Sequence, residues 1–137
     1  MVEIKIVYEG SLRTTAEHGP SLRNLQTDAP LDNQGKGESF SPTDLAATAL
    51  GACMMTIMGI LADKDDIPLQ GTRIRVTKHM VADPLRRIGK IEVDLALPAG
   101  ISDKDQRRLE KAARSCPVQQ SLHPDIEVPI HFGWGEL

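Results

Sequence analysis

The first forty residues alternate apolar and polar side chains in short runs, a pattern that predicts half-buried β-strands. Residues 2–7 alternate at a period of two. Residues 12–16 and 21–27 predict two further short strands, because the turn-forming residues His18-Gly19-Pro20 separate them. Residues 28–40 contain proline, asparagine and two glycines, and therefore predict a long exposed loop.

A long apolar stretch follows this loop and predicts a helix from residue 42 to about residue 63. Ser41 supplies an N-cap, Pro42 suits the first helical position, and Asp44 places an acid three residues after the cap. Residues 45–62 are just long enough to cross a membrane, but their threonines, glycines and alanines make the transfer free energy weak. We therefore predict a helix that is buried in protein on all sides.

The second half of the chain contains the same kinds of element without repeating the sequence. Residues 72–82 and 88–97 alternate and are joined by residues 83–87, which predicts a β-hairpin. Residues 126–132 predict a last strand. Because no repeat, low-complexity tract or linker interrupts the sequence, we predict a single α+β domain over residues 1–137.

Composition and charge exclude several classes of function. Of the 137 residues, 40% are hydrophobic, which is enough for a core, and only 3% are aromatic, so that core is built from aliphatic side chains and methionine. The net charge of -3 argues against nucleic-acid binding, which normally needs a basic face. Residues 1–6 alternate and lack the basic end and apolar block of a signal peptide, so we expect a cytoplasmic protein with no membrane partner.

The chain has two cysteines, Cys53 and Cys116, which are too far apart for a CxxC redox motif or half of a zinc finger. Cys53 lies within the apolar helix. Cys116 follows an amphipathic helix predicted at 103–115 and capped by Ser102, and it precedes Pro117, which ends or restarts that helix. Cytosolic cysteines are typically free thiols or a catalytic pair, and a lone buried cysteine is often an inert small hydrophobe. Joint chemistry requires the fold to bring the two thiols together.

Two motifs surround these cysteines. They are Ser41-Pro42-Thr43-Asp44-Leu45 leading to Leu50-Gly51-Ala52-Cys53, and Ser115-Cys116-Pro117-Val118. With the order of hairpin, glycine-rich loop, cysteine helix, hairpin, second helix and last strand, they make nearly the whole chain similar to the OsmC/Ohr family. The resemblance implies an OsmC-like α+β fold with two antiparallel strand groups around two helices and a buried central cysteine-bearing helix. It also implies an interlaced homodimer with active sites at the interface.

The resemblance further implies a thiol-dependent peroxidase that reduces organic hydroperoxides in oxidative-stress defence, with no metal or other cofactor. Cys53 is then the attacking thiol and Cys116 the resolving one, and a dithiol reductant such as a lipoyl-bearing protein restores both. Attack by a thiolate leaves a sulfenic acid, which a second thiol converts into a disulfide. Cys53 lies too deep in its helix for the helix dipole to stabilise the thiolate, so a nearby cation must do so.

Arg13 is the cation that the resemblance implies, because family members hold the attacking thiolate with an arginine from the N-terminal strands. Arg23 is the alternative. Hydroperoxide-reducing members pair this arginine with a glutamate that follows the helix-start proline, where this chain has Thr43. Asp44 carries an acid one position further along, where it also suits the helix cap, and Glu38 in the loop is either a supporting acid or a solvated one.

A ligand-binding scaffold is the alternative function. Met54, Met55 and Met58 follow Cys53 and predict either core packing or an adaptable apolar pocket for a hydrophobic substrate tail. With Thr43 in place of the glutamate, this pattern favours an OsmC-like dimer that binds a small apolar ligand without efficient turnover of peroxide. The four histidines lack metal-ligand spacing, so we predict no metal site.

Overall fold

The computed structural model of the chain covers residues 1–137. The chain forms two compact units, Met1–Ala46 and Ala47–Leu137. Its elements, in chain order, are β1 (Ile4–Gly10), β2 (Arg13–His18), β3 (Asn24–Asp28), a 3-10 turn (Leu31–Asn33), α1 (Pro42–Lys64), β4 (Arg73–Val81), β5 (Arg87–Leu97), α2 (Asp103–Arg114), α3 (Pro117–Ser121) and β6 (Ile130–Trp134).

The N-terminal unit is built on a three-stranded antiparallel sheet in the order β1-β2-β3. A tight turn joins β1 to β2, and Gly10 in that turn has a φ of 82°, which glycine adopts without steric cost. Alternate residues of β1 share one face of the sheet. On that face Ile4, Ile6 and Tyr8 are 59%, 66% and 65% exposed. The chain itself therefore leaves an apolar sheet face uncovered.

Strands β2 and β3 pair symmetrically about the Pro20–Ser21 peptide, where the His18 N–H donates to the Arg23 carbonyl oxygen at 2.8 Å. The three strands predicted in this half are confirmed, with ends shifted by up to three residues. The symmetric pairing places Arg13 directly opposite Asp28.

Helix α1 begins at a reciprocal cap. The Asp44 N–H donates to Ser41 Oγ at 3.1 Å, and the Ser41 N–H donates to Asp44 Oδ2 at 2.9 Å. Each residue thus satisfies a backbone donor of the other, which is the arrangement that the sequence predicts. The predicted helix bounds are confirmed to within one residue.

Helix α1 is buried along one side only. Leu50, Met54 and Met58 are fully buried in the core, whereas Thr56 and Ile60 are exposed. The prediction of burial on all sides is therefore wrong for the single chain, because β5 and α2 supply core side chains to one side of the helix.

By length and composition, α1 could cross a membrane, with a mean hydropathy of 2.0 over an 18-residue window of which 33% is buried. A single such helix is weak evidence for a membrane span, because a core helix passes the same test. In this fold α1 packs closely against β4: a Cβ at Gly51 would lie 2.7 Å from Val76 Cγ2.

The second sheet, in the order β4-β5-β6, forms one wall of the core. Alternate side chains of β5 are buried, and the α+β class with two strand groups is confirmed. Strand β4 pairs antiparallel with β5, but β6 pairs parallel with it, unlike the antiparallel grouping that we predict. The reason is that α2 and α3 lie in the connection and return the chain to the same end of the sheet.

The second helical region follows the predicted caps. Ser102 Oγ accepts a hydrogen bond from the Asp105 N–H at 3.2 Å at the start of α2. Pro117 then restarts the chain as the short helix α3, of which Cys116 is the N-cap residue. Ser102 thus fixes the start of the helix before Cys116, and Cys116 itself fixes the start of the helix after it.

The last strand begins at Ile130, four residues later than the sequence predicts. Pro129 has no N–H for a sheet ladder, and the preceding residues make one isolated bridge to β5 through Glu127. At the end of β6, the Trp134 indole N–H donates to Glu110 Oε1 of α2 at 2.8 Å. This bond ties the last strand to the second helix.

Candidate functional site

The fold brings the two cysteines together. Helix α1 carries Cys53, which is half-buried, and the turn before α3 carries Cys116, which is fully buried. Both are free thiols, and they lie close enough for Cys53 to raise the pKa of the Cys116 thiol. Residues at distant positions in the sequence thus form one thiol pair in the C-terminal unit.

The surroundings of Cys116 keep it protonated. Burial raises the pKa of the Cys116 thiol above its usual range, while the Gln119 N–H, 3.4 Å from Sγ, opposes that shift. The neighbouring Cys53 raises the same pKa further. At neutral pH the Cys116 thiol is therefore both inaccessible and protonated.

A second cluster of functional groups lies in the N-terminal unit around Arg13. Its Nη2 donates to Glu38 Oε2 and lies 3.6 Å from Asp28 Oδ2. The pKa of Arg13 is raised by the hydrogen bond to Glu38 and then by the charge of that carboxylate. Asp28 is only 1% exposed, and its Oδ2 accepts the Glu38 N–H at 3.0 Å. Arg13 and Glu38 are candidates from the sequence, whereas Asp28 is not.

The other predicted polar residues have different surroundings. Arg23 is exposed, and its side chain makes no hydrogen bond or ion pair. Asp44 belongs to the cap of α1 through Ser41. Thr43 Oγ1 lies 3.2 Å from Ser41 Oγ, so it also takes part in the cap. The structure thus gives Arg13 a carboxylate partner from the loop.

The three methionines after Cys53 have different surroundings. Met54 and Met58 are fully buried members of the core. Met55 lines an open, mostly apolar groove of about 510 Å³ between α1 and β4. The other lining residues are Thr48, Gly51, Ala52, Thr72, Ile74 and Val76. Of the three, Met55 is therefore the one that a small apolar ligand could touch.

Comparison with known proteins gives a consistent family. The chain matches the family described as OsmC-like protein over residues 35–131. A solved structure from Psychrobacter arcticus, of a protein named for osmotic stress induction and detoxification response, is 46% identical, with 96% of this chain and 95% of that chain covered and a TM-score of 0.90.

Two more distant structures share the fold. An organic hydroperoxide resistance protein OsmC from Legionella pneumophila is 20% identical, covering 98% and 96% of the two chains with a TM-score of 0.73. An OsmC-like protein from Mycoplasma pneumoniae is 15% identical, covering 98% and 97% with a TM-score of 0.82. A comparison with curated proteins finds no match. The resemblance inferred from the cysteine motifs is confirmed: the chain belongs to the OsmC-like protein family.

Proposed function

We propose that the protein is a cysteine-based peroxidase that reduces organic hydroperoxides in stress defence. The observation that carries the proposal is the proximity of Cys53 and Cys116, because two neighbouring thiols can complete a peroxidase cycle. The names of the relatives point the same way: the Psychrobacter protein is named for detoxification and the Legionella protein for organic hydroperoxide resistance.

The burial of the two thiols supports different roles for them. Cys53 is half-buried and can be reached by a peroxide: its thiolate attacks the outer peroxide oxygen and the O–O bond breaks. The alkoxide leaves and takes up the proton that the Cys53 thiol lost on ionisation, so that an alcohol is released. Cys53 is then a sulfenic acid. The Cys116 thiol, buried and protonated until then, attacks that sulfur, and water leaves as the disulfide forms. A dithiol reductant, such as a lipoyl-bearing protein, then reduces the disulfide by exchange.

Arg13 is the activating cation in this proposal. Both of its contacts to carboxylates are made through Nη2, which leaves the N–H donors of Nε and Nη1 for a thiolate and a peroxide oxygen. A guanidinium stays protonated at any pH of interest, so it supplies a permanent charge.

Thiol counting tests the proposal directly. Reduced protein mixed with excess cumene hydroperoxide is expected to lose both thiols, as titrated under denaturing conditions. The Cys116→Ser variant is expected to stop at a sulfenic acid that dimedone traps, and Cys53→Ser to keep its remaining thiol. Survival of both thiols in the wild-type protein would refute the peroxidase function.

A homodimer is part of the proposal. The apolar face formed by Ile4, Ile6 and Tyr8 is exposed in the single chain, as is the side of α1 that carries Ile60. Uncovered apolar surface of this extent is typical of an interaction site. Ile6→Glu is expected to weaken self-association at least tenfold by light scattering, whereas Leu85→Glu, at a hairpin tip 75% exposed, leaves it unchanged. A monomeric wild-type protein would contradict it.

The open apolar groove between α1 and β4 favours a second candidate function, the binding of a small apolar ligand without turnover. Its volume of about 510 Å³ lies within the range of ligand sites, and Met55 gives it an adaptable wall. Fatty acids or aromatic compounds should then raise the melting temperature of both the wild-type and the Cys53→Ser protein, and Met55→Glu should abolish the shift. If no apolar compound shifts the melting temperature, this function is excluded.

A further inference from the structure

Asp28 is the buried acid of the Arg13 cluster. It is the last residue of β3 and stands opposite Arg13 on β2. The first three residues of β3, Asn24 to Gln26, are exposed, whereas the last one, Asp28, is 1% exposed. A carboxylate with so little access to water is costly to keep unless charged or donor groups face it.

Asp28 ties the loop before α1 to the sheet at two points. Its side-chain Oδ2 accepts the Glu38 N–H at 3.0 Å, and its own N–H donates to the Phe40 carbonyl oxygen at 3.1 Å. These bonds fix the backbone of the residue whose carboxylate holds Arg13. The conformation of Glu38 is therefore set partly by Asp28.

The charge of Asp28 has a partner of its own in Arg13, whose Nη2 lies 3.6 Å from Oδ2. The second oxygen, Oδ1, is buried and accepts no hydrogen bond. A purely structural tie to the Glu38 N–H needs a single neutral acceptor, which asparagine would supply without the cost of a buried charge. A carboxylate at this position is explained by attraction to the guanidinium.

Glu38 holds the same nitrogen of Arg13 from the solvent side, with 57% of its side chain exposed. The guanidinium thus lies between an exposed and a buried carboxylate, and both bind through Nη2. Two acids at one nitrogen restrict the rotation of the planar group and orient its remaining donors.

We propose that Asp28 is a positioning residue for Arg13, and that Asp28 and Glu38 together replace the acid partner that is absent at Thr43. This inference rests on the proposed function, in which Arg13 activates Cys53. Asp28 touches neither thiol nor substrate in this role. It acts by fixing the guanidinium through charge and Glu38 through the backbone.

The test compares Asp28→Asn, Glu38→Gln and the double variant with the wild-type protein. Glu9→Gln is the matched control, because Glu9 lines the same polar cavity as Arg13 and Asp28 but bonds to neither. One readout needs no turnover: the 15N NMR signal of the Arg13 Nε–H and the hydrogen-exchange rate of the Glu38 amide. The other readout is steady-state kinetics with cumene hydroperoxide together with the pH profile of Cys53 alkylation.

Asp28→Asn keeps an acceptor for the Glu38 N–H, so we expect little change in the hydrogen-exchange rate of that amide. We expect a shifted or broadened Arg13 signal and about a tenfold fall in kcat with little change in KM. Glu38→Gln, on an exposed loop, should change the Arg13 signal and lower kcat in the same way. The kcat of the double variant should be no lower than that of the poorer single variant. Glu9→Gln should match the wild type.

The two hypotheses fail in different ways. An Arg13 signal that is unchanged in both Asp28→Asn and Glu38→Gln overturns the positioning role, whatever the kinetics show. Losses that simply add in the double variant also overturn it. If the wild-type protein leaves peroxide untouched, the proposed function fails, while the NMR comparison still decides whether Asp28 positions Arg13.

Discussion

Two arginines, one in each unit, lie between two carboxylates, and their surroundings differ. Arg108 on α2 binds Asp65, just after α1, and Asp105 in its own helix, and these acids have 32% and 30% of their side chains exposed. Arg13 is exposed to about the same extent, 38% against 40%. One of its acids, Asp28, is 1% exposed.

The difference distinguishes a set of surface ion pairs, around Arg108, from a site in which a buried acid helps to hold an arginine, around Arg13. Ion pairs with exposed partners contribute little to folding, and those of Arg108 connect two helical segments at low cost. A buried carboxylate carries a desolvation penalty that ion pairs between exposed side chains avoid. The arrangement around Arg13 therefore indicates a residue whose position matters more than its contribution to stability.

The largest expected difference is in thiol chemistry. Arg13→Ala is expected to slow both alkylation of Cys53 by iodoacetamide near neutral pH and peroxide turnover by about a hundredfold, because the thiolate loses its cation. Arg13→Lys should restore only part of the rate, since a point charge cannot replace the planar guanidinium. Arg108→Ala should leave both rates unchanged.

The pH profile of alkylation also tests the choice of arginine. If Arg23→Ala slows alkylation and Arg13→Ala does not, the activating arginine has been misassigned by one strand. If neither changes the profile, no N-terminal arginine activates the thiolate.

The next effect is on stability. Asp28→Ala should lower the free energy of unfolding by about 2 kcal/mol, because it removes the charged acceptor of the Glu38 N–H in a partly buried hydrogen bond. Asp105→Ala, in the exposed cluster, should shift the urea midpoint much less. Equal losses at the two positions, measured by urea unfolding, would contradict the distinction between the clusters.

Helix caps offer a smaller contrast. Ser41→Ala should cost about 1.5 kcal/mol and Ser102→Ala about 0.5 kcal/mol, since both hydroxyls accept an N–H but Ser41 is fully buried. Thermal unfolding monitored by circular dichroism measures both. Ser41→Gly and Ser102→Gly serve as controls, because glycine is tolerated at an N-cap and should restore part of the stability.

The smallest effect concerns pH. The hydrogen bond from Arg108 lowers the pKa of Asp105 in the folded chain, so this acid stabilises the fold above its unfolded pKa, and that contribution is lost as the pH falls through its folded pKa. The small difference in urea midpoint between wild type and Asp105→Asn should therefore be present at neutral pH and disappear in acid. A difference that grows in acid would have the wrong sign.

Local sequence signals were sufficient to predict the helices and strands, but they did not predict which distant residues pair with each other. The cap formed by Ser41 and Asp44 predicts the start of α1, and alternation predicts β4 and β5. The turn-forming residues His18-Gly19-Pro20 do not set the register of β2 against β3, and the observed turn pairs Arg13 with Asp28. Asp28 lies in the loop predicted at residues 28–40, so the sequence did not indicate that it is a buried partner of Arg13.

The cysteine pair shows the same limit. Sequence spacing cannot place Cys53 beside Cys116, because their approach depends on how α1 and the α2–α3 junction pack in the core. The family motifs supplied that expectation. The exposed side of α1 was likewise not predictable from its composition, since an apolar helix of this kind is equally consistent with full burial.

The bond between Trp134 and Glu110 also has an optical consequence. The chain contains one tryptophan and one tyrosine. Trp134 reports on the C-terminal unit, and Tyr8, 65% exposed on β1, reports on the N-terminal one. Tryptophan fluorescence and tyrosine absorbance therefore follow the two units separately, without an added label. Coincident transitions by the two probes mean that the units melt as one cooperative system, and separated transitions mean that each has its own stability.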